Sequence, residues 1–129
     1  MSNAMITTGS VDDFFCTLAA ESKRDKMIIA KAINNATSLK DVDGVFVVVG
    51  IMTTPGIRTQ SETPCTNTYL IREDGTALFS QSDGIARGAR TIRTIFTPDE
   101  IAEGLKVFVV ETKRDNGRTM KTLDFVLDE

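Results

Sequence analysis

The chain has no histidine and no tryptophan among its 129 residues. Without histidine, neither a Ser-His-Asp nor a Cys-His catalytic set can be assembled. A zinc site would have to use cysteine or carboxylates alone, and no CxxC pair exists. Cysteine is itself scarce. Cys16 falls in an apolar pattern that reads as helical and Cys65 in a polar stretch that reads as loop, so a small reduced protein is the simplest expectation. Neither a GxxxxGKS/T nor a GxGxxG loop occurs. Asp41 and Asp43 in KDVDG lack the downstream ligands of a calcium loop. The expectation is therefore a protein that is not an enzyme and needs no cofactor or metal. Long apolar runs are missing too. The longest, Val45–Val49, is far too short to cross a bilayer, so no membrane association is expected. No basic start with an apolar stretch follows Met5, which points to the cytoplasm. The opening MSNA, residues 1–4, reads as an expression-tag remnant and is left out of fold reasoning.

What is present is ordinary globular composition, 41% hydrophobic and 26% charged, in a chain long enough to bury one core without staples. Fifteen Lys and Arg against eighteen Asp and Glu leave a net charge of −3. That balance argues against a surface that is basic all over, and leaves room for a local basic groove.

The first third reads as helical, with Phe14, Phe15, Leu18 and Ala19 at helical spacing. A second pattern starts at Ser22, with Asp25 three residues on as in a capping box, and runs through Met27, Ile28, Ala32 and Ile33 to Asn34-Asn35. The two patterns can also fuse into one helix. Residues 5–43 are thus expected as an N-terminal helical segment packed on a barrel formed by residues 44–129. Val45–Met52 reads as a strand in which Gly50 marks a bulge or bend. Thr53–Pro64 reads as a long loop, Thr66–Ile71 as a second strand, and Glu73-Asp74-Gly75 as a tight turn into a third, Thr76–Ser80. In SQSDGIARGARTIRTIF, residues 80–96, helical pitch gathers Ile85, Ala89, Ile92 and Phe96 into one narrow apolar stripe. Arg87, Arg90 and Arg93 fall on another flank, which reads as a solvated face. Ser82 or Asp83 caps this helix, and Thr97-Pro98-Asp99-Glu100 starts a short second one. Leu105–Glu111 and Met120–Val126 flank Asn116-Gly117. A two-residue turn there sets Phe108 opposite Phe125 and Val110 opposite Leu123. Phe46, Phe108 and Phe125 are expected in the core.

The order predicts a mainly β protein: an OB-fold, a five-stranded Greek-key barrel with a helix between strands three and four, preceded by the N-terminal helical segment. Such barrels bind along strands two and three, between the first-to-second and fourth-to-fifth strand loops. The first of these, TTPGIRTQSETPC, carries Arg58. The second, TKRDNGR, carries Lys113, Arg114 and Arg118, with Lys121 just beyond it, and Arg72 sits near the tip of the second strand. Cations for phosphates and rings for bases are what a single-stranded nucleic acid needs. The candidate rings are Tyr69 and Phe79. A three-residue Glu73–Gly75 loop sets them on one face, opposite Leu70 and Leu78; a two-residue loop turns Tyr69 away.

The stretches NNATSLKDVDG and TNTYLIREDGTALFSQSDGIARGARTI resemble the small single-stranded DNA-binding proteins of bacteriophages and integrative conjugative elements of Gram-positive bacteria. The shared outline is a helical start, an SLKD-like linker, a Tyr-Leu-Ile strand, an acidic-Gly turn, and a helix opening that here is Ser82, Gly84, Ile85 and Ala86. The likeness spans Ala30 to Val126. It implies an OB-type fold and single-stranded DNA binding in phage or mobile-element replication or recombination. Single-stranded DNA is then the expected partner, with replication or recombination proteins and further copies of the chain as additional ones. The resemblance transfers no individual DNA contact. Two other readings compete. One is an interaction or assembly module that keeps the barrel and uses the N-terminal third as its contact surface. The other is a carboxylate-based nuclease, which metal-dependent DNA cleavage would reveal.

Overall fold

The computed structural model describes residues 15–17, 22–58, 61–113, 117 and 119–127. The elements are β1 (Phe15–Cys16), α1 (Lys23–Asn34), β2 (Thr37–Ser38), a 3-10 turn (Leu39–Asp41), β3 (Phe46–Ile57), β4 (Pro64–Arg72), β5 (Ala77–Ser80), α2 (Asp83–Ile95), α3 (Pro98–Ala102), β6 (Leu105–Lys113) and β7 (Thr119–Phe125). The protein is mainly β with helices added. Six strands form one curled, half-barrel sheet in the order β2-β5-β4-β3-β6-β7, and β1 pairs with β3 outside this path.

β3 organises the sheet. Its first residues, Phe46–Val48, pair with β6, while Val48–Ile57 pairs with β4. The change of partner coincides with a bulge: Val48 faces Arg72 and Gly50 faces Ile71, leaving Val49 unmatched. An extra residue on one strand bends it and increases its twist, which starts the curl. Beyond Val48 the edge that carried β6 is vacated, and β1 takes it, with Cys16 opposite Met52 and Thr17 N–H donating to the Ile51 carbonyl at 2.9 Å. The helical expectation for Phe15 and Cys16 is therefore corrected. Unpaired strand amides and carbonyls there outweigh a short apolar repeat made of aromatic and β-compatible residues. Phe14, Leu18 and Ala19 lie outside the described residues.

The expected loop from Thr53 to Pro64 is also corrected, because β3 and β4 stay paired out to Ile57 and Pro64. Pro55 is tolerated because its nitrogen points away from β4. Arg58 N–H donates to Thr63, so the hydrogen-bonding positions facing β4 are the even-numbered ones.

Helix boundaries follow their caps. Ser22 Oγ accepts from Asp25 N–H at 3.0 Å and starts α1. Ser82 caps α2, and Thr97 with Glu100 forms a reciprocal box around Pro98 on α3. The core lies between the concave side of the sheet and α2. Ile85, Ala89 and Ile92 pack against Val48, Ile51, Leu70, Leu78 and Val107, all nearly inaccessible, with Phe46 and Ile101 alongside and Phe96 and Phe125 at the margin. Burying each such side chain contributes about 1.5–3 kcal/mol. Arg87 and Arg93 stay exposed on the far side of α2.

The β6–β7 register differs from the sequence reading. Val107 faces Phe125 and Val109 faces Leu123, so Phe108 lies opposite Asp124 on the other side of the sheet. Lys113 pairs with Thr119, leaving an odd number of residues between them, where a two-residue turn needs an even number. Gly117 takes φ +84, a left-handed conformation that glycine adopts without strain. The one-residue shift exchanges the two faces of both strands, and Phe108 leaves the core for a half-buried position.

Candidate functional site

The convex side of β3–β4–β5 is built by strand alternation. Ile51, Leu70 and Leu78 point inward, so their neighbours Met52, Tyr69 and Phe79, which are register partners, point outward. The turn that sets this register is the three-residue form. Arg72 N–H donates to the Thr76 carbonyl at 2.8 Å across Glu73-Asp74-Gly75, with Gly75 at φ +87. Tyr69 and Phe79 therefore share a face. Their ring centroids are 5.2 Å apart with planes tilted by 44°, and both side chains are half-buried. At one end of this face α1 lies against the sheet, with Ala32 packed on Ile71 and Ala77 beside Tyr69. Lys23, Arg24, Lys26 and Lys31 of that helix are exposed.

Away from α1, a polar row continues on the same face. Gln81 Nε2 donates to Asn67 Oδ1 at 3.0 Å, and Asn67 Nδ2 approaches Thr54 Oγ1 at 3.4 Å. Gly56 makes room for this row, because a Cβ there would collide with the Asn67 amide. Arg58 ends the row. Its guanidinium donates to the Gln81 carbonyl and to Asp83 Oδ1, each at 3.0 Å.

The other cations lie elsewhere. Arg72 is on the opposite alternation from Tyr69, and its Nε donates to Thr76 Oγ1 at 2.9 Å. Lys121 faces Glu111 across the β6–β7 ladder and lines a recess of about 130 Å³ with Lys40 and Asp43. Lys113 is exposed at the end of β6. Arg114 and Arg118 lie outside the described residues.

The two long hairpins leave the central β3–β6 pair in opposite directions, and the curl returns both to α2. Arg58 from the first meets Asp83. On the next residue, Gly84 lies against the Lys121 carbonyl and the Met120 side chain of the second. That carbonyl is on the free edge of β7, since Val126 N–H donates to Lys106 and the odd-numbered positions face away from β6. The first turn of α2 thus follows β5 directly and lies against the edge of β7, and a side chain at position 84 would not fit.

Among the described residues no group of three or more potential metal-ligating side chains occurs, and no helix is long and apolar enough to cross a membrane. Cys16 and Cys65 are thiols, not a disulfide. No known protein family, curated protein or solved structure matches the chain significantly. The functional reading rests on this geometry.

Of the sequence-derived candidates, the structure brings together Arg58, Tyr69 and Phe79. It adds Thr54, Asn67 and Gln81, which the sequence reading did not single out. The signal for Asn67 was available: it stands two residues before Tyr69 in a strand, and so shares its face. The basic run of α1 was equally visible, but its position beside Tyr69 depends on tertiary packing.

Proposed function

We propose that the protein binds single-stranded DNA with little sequence preference, on an OB-type barrel left open between β2 and β7. The observation that carries this reading is the tilted Tyr69–Phe79 pair on the convex face, flanked by the Asn67–Gln81 amides and Arg58. The strand succession and the helix between β5 and β6 are consistent with a partly open Greek-key barrel of that type. Bases stack on the two rings, and stacking tolerates any base because each has a π-face. Arg58, Lys113, Arg114 and Arg118 neutralise phosphates from the two hairpin ends, with Arg72 and Lys121 contributing at the margins. Replication or recombination of phage or mobile-element DNA is the setting that the family resemblance suggests.

Titration of fluorescent oligo-dT and of a matching duplex at two salt concentrations tests this. The single strand should bind more tightly, with affinity falling steeply as salt rises. Joint Lys113→Glu and Arg114→Glu substitution should weaken oligo-dT binding sharply, and unchanged affinity would remove that hairpin from the site. Failure of micromolar protein to retard single-stranded DNA at low salt would favour an interaction module without a nucleic-acid ligand.

A further inference from the structure

Arg58 is the cation that ends the row of convex-face side chains leading from the aromatic pair, and its charge is already matched. Its Nη2 donates to the Asp83 carboxylate at 3.0 Å, and the Gln81 carbonyl accepts from the same nitrogen at 3.0 Å. The Asp83 side chain is 74% exposed and that of Arg58 37%, so the ion pair lies within reach of solvent and of a ligand. A carboxylate facing a guanidinium occupies the place a phosphate oxygen would take, since arginine recognises both groups with the same donors. Gln81 also holds Asn67, which stands on the same strand face as Tyr69. Arg58 is therefore fixed in the row that leads to the rings while an internal anion covers it.

We infer that Asp83 is an internal stand-in for a DNA phosphate, and that a strand laid across Tyr69 and Phe79 displaces it from Arg58. This rests on the single-stranded DNA reading above and adds a regulatory element to it. The Gln81 carbonyl keeps the guanidinium in position during the exchange, so Arg58 need not be re-ordered when the phosphate arrives. Displacement is easy because an ion pair this exposed contributes little by itself. Asp83 thus lowers affinity and makes binding selective for ligands that offer a phosphate at that point.

The test is a double-mutant cycle on the full chain, read as oligo-dT affinity at fixed low salt. Asp83→Asn should bind about two- to five-fold more tightly than the parent, the range expected for removing an exposed competing ion pair. Arg58→Gln should bind more weakly. In the Arg58→Gln background, Asp83→Asn should give no gain. Asp99→Asn on α3 changes net charge equally at a position away from Arg58 and should leave affinity unchanged. Ser82 still caps α2 in the Asp83 variant, so the helix start is retained. Parental binding with no gain from Asp83→Asn overturns the inference alone. The same gain in the Arg58→Gln background, or from Asp99→Asn, also overturns it by reducing the effect to general charge. No oligo-dT binding by either the parent or Asp83→Asn overturns the DNA-binding reading and the inference with it.

Discussion

The two faces of β3–β4–β5 are made by the same three strands and differ in almost every property. The concave face presents Val48, Ile51, Leu70 and Leu78 to α2 and is buried. The convex face presents Met52, Tyr69, Phe79, Asn67, Thr54 and Gln81, all half-buried. Each face includes an exception to its rule that is informative. The concave face includes the cross-strand pair Thr53 and Thr68, about 1% exposed or less, whose hydroxyls have no hydrogen-bond partner among the described residues. The convex face includes two aromatic rings where a solvated surface would use polar groups. The first exception costs stability without reaching solvent. The second leaves apolar ring surface where a ligand can stack on it.

The most severe way to break this division is at Gly84, where α2 closes the concave side over the free edge of β7. A Cβ there meets a backbone carbonyl, which cannot rotate away as a flexible side chain could. Gly84→Val should cost about 3 kcal/mol or more in urea unfolding. A loss below about 1 kcal/mol would mean that the helix is not seated against Lys121 as described.

On the convex face the expected effect is on binding. Tyr69→Ala and Phe79→Ala should each weaken oligo-dT binding by about 5- to 150-fold, the range for one stacked base. Both variants should retain a cooperative melt, since the rings lie outside the main core. If affinity fell only in proportion to the fraction unfolded, the rings would be structural parts of the α1 contact and not a stacking platform.

The concave exception gives a smaller effect of opposite sign. Thr53→Val together with Thr68→Val replaces two unpaired buried hydroxyls by methyl groups of nearly the same shape. That exchange should raise unfolding free energy by about 1 kcal/mol or more and leave oligo-dT affinity unchanged. Destabilisation instead would show that the hydroxyls are satisfied in solution, for example by a buried water.

How far these faces could be read from the sequence is clearest at the β4–β5 and β6–β7 hairpins. Both close with glycine at positive φ, Gly75 at +87 and Gly117 at +84. For β4–β5, the sequence allows a two- or a three-residue turn, and the three-residue form carries the correct register. For β6–β7, Asn116-Gly117 reads as a two-residue turn, and the one-residue difference from the observed register puts Phe108 on the wrong face. Local turn chemistry allows either loop length, and only the packing of Val107, Leu123 and Phe125 under α2 selects between them. The α2 stripe of Ile85, Ala89 and Ile92 was legible because a 3.6-residue period has no comparable ambiguity. The strand at Phe15–Cys16 was not, since it answers to an edge that β6 vacates some thirty residues later. The same limit applies to Arg58: its place between the first and second strands is readable in the sequence, its attachment to Asp83 is not.

The smallest expected effect concerns the turn that fixes which residues face out. Asp74 accepts from the Thr76 hydroxyl and, at 2.9 Å, from the Thr76 N–H, while Arg72 Nε donates to the same hydroxyl. The Thr76 hydroxyl first, then its amide and the nearby Arg72 charge, holds the Asp74 carboxyl below its ordinary value of 3.8, although the group is fully exposed. A carboxyl lowered on folding stabilises the folded state above its unfolded value, and that contribution is lost as pH falls through the folded one. The melting temperature of Asp74→Ala should therefore lie slightly below the parent's near neutral pH. The gap should narrow once pH drops below 3.8. A gap that stays constant well into acid would assign the effect to turn propensity and not to the carboxylate charge. Tyr69 and Phe79 would then keep their shared face through the three-residue loop and Gly75 alone.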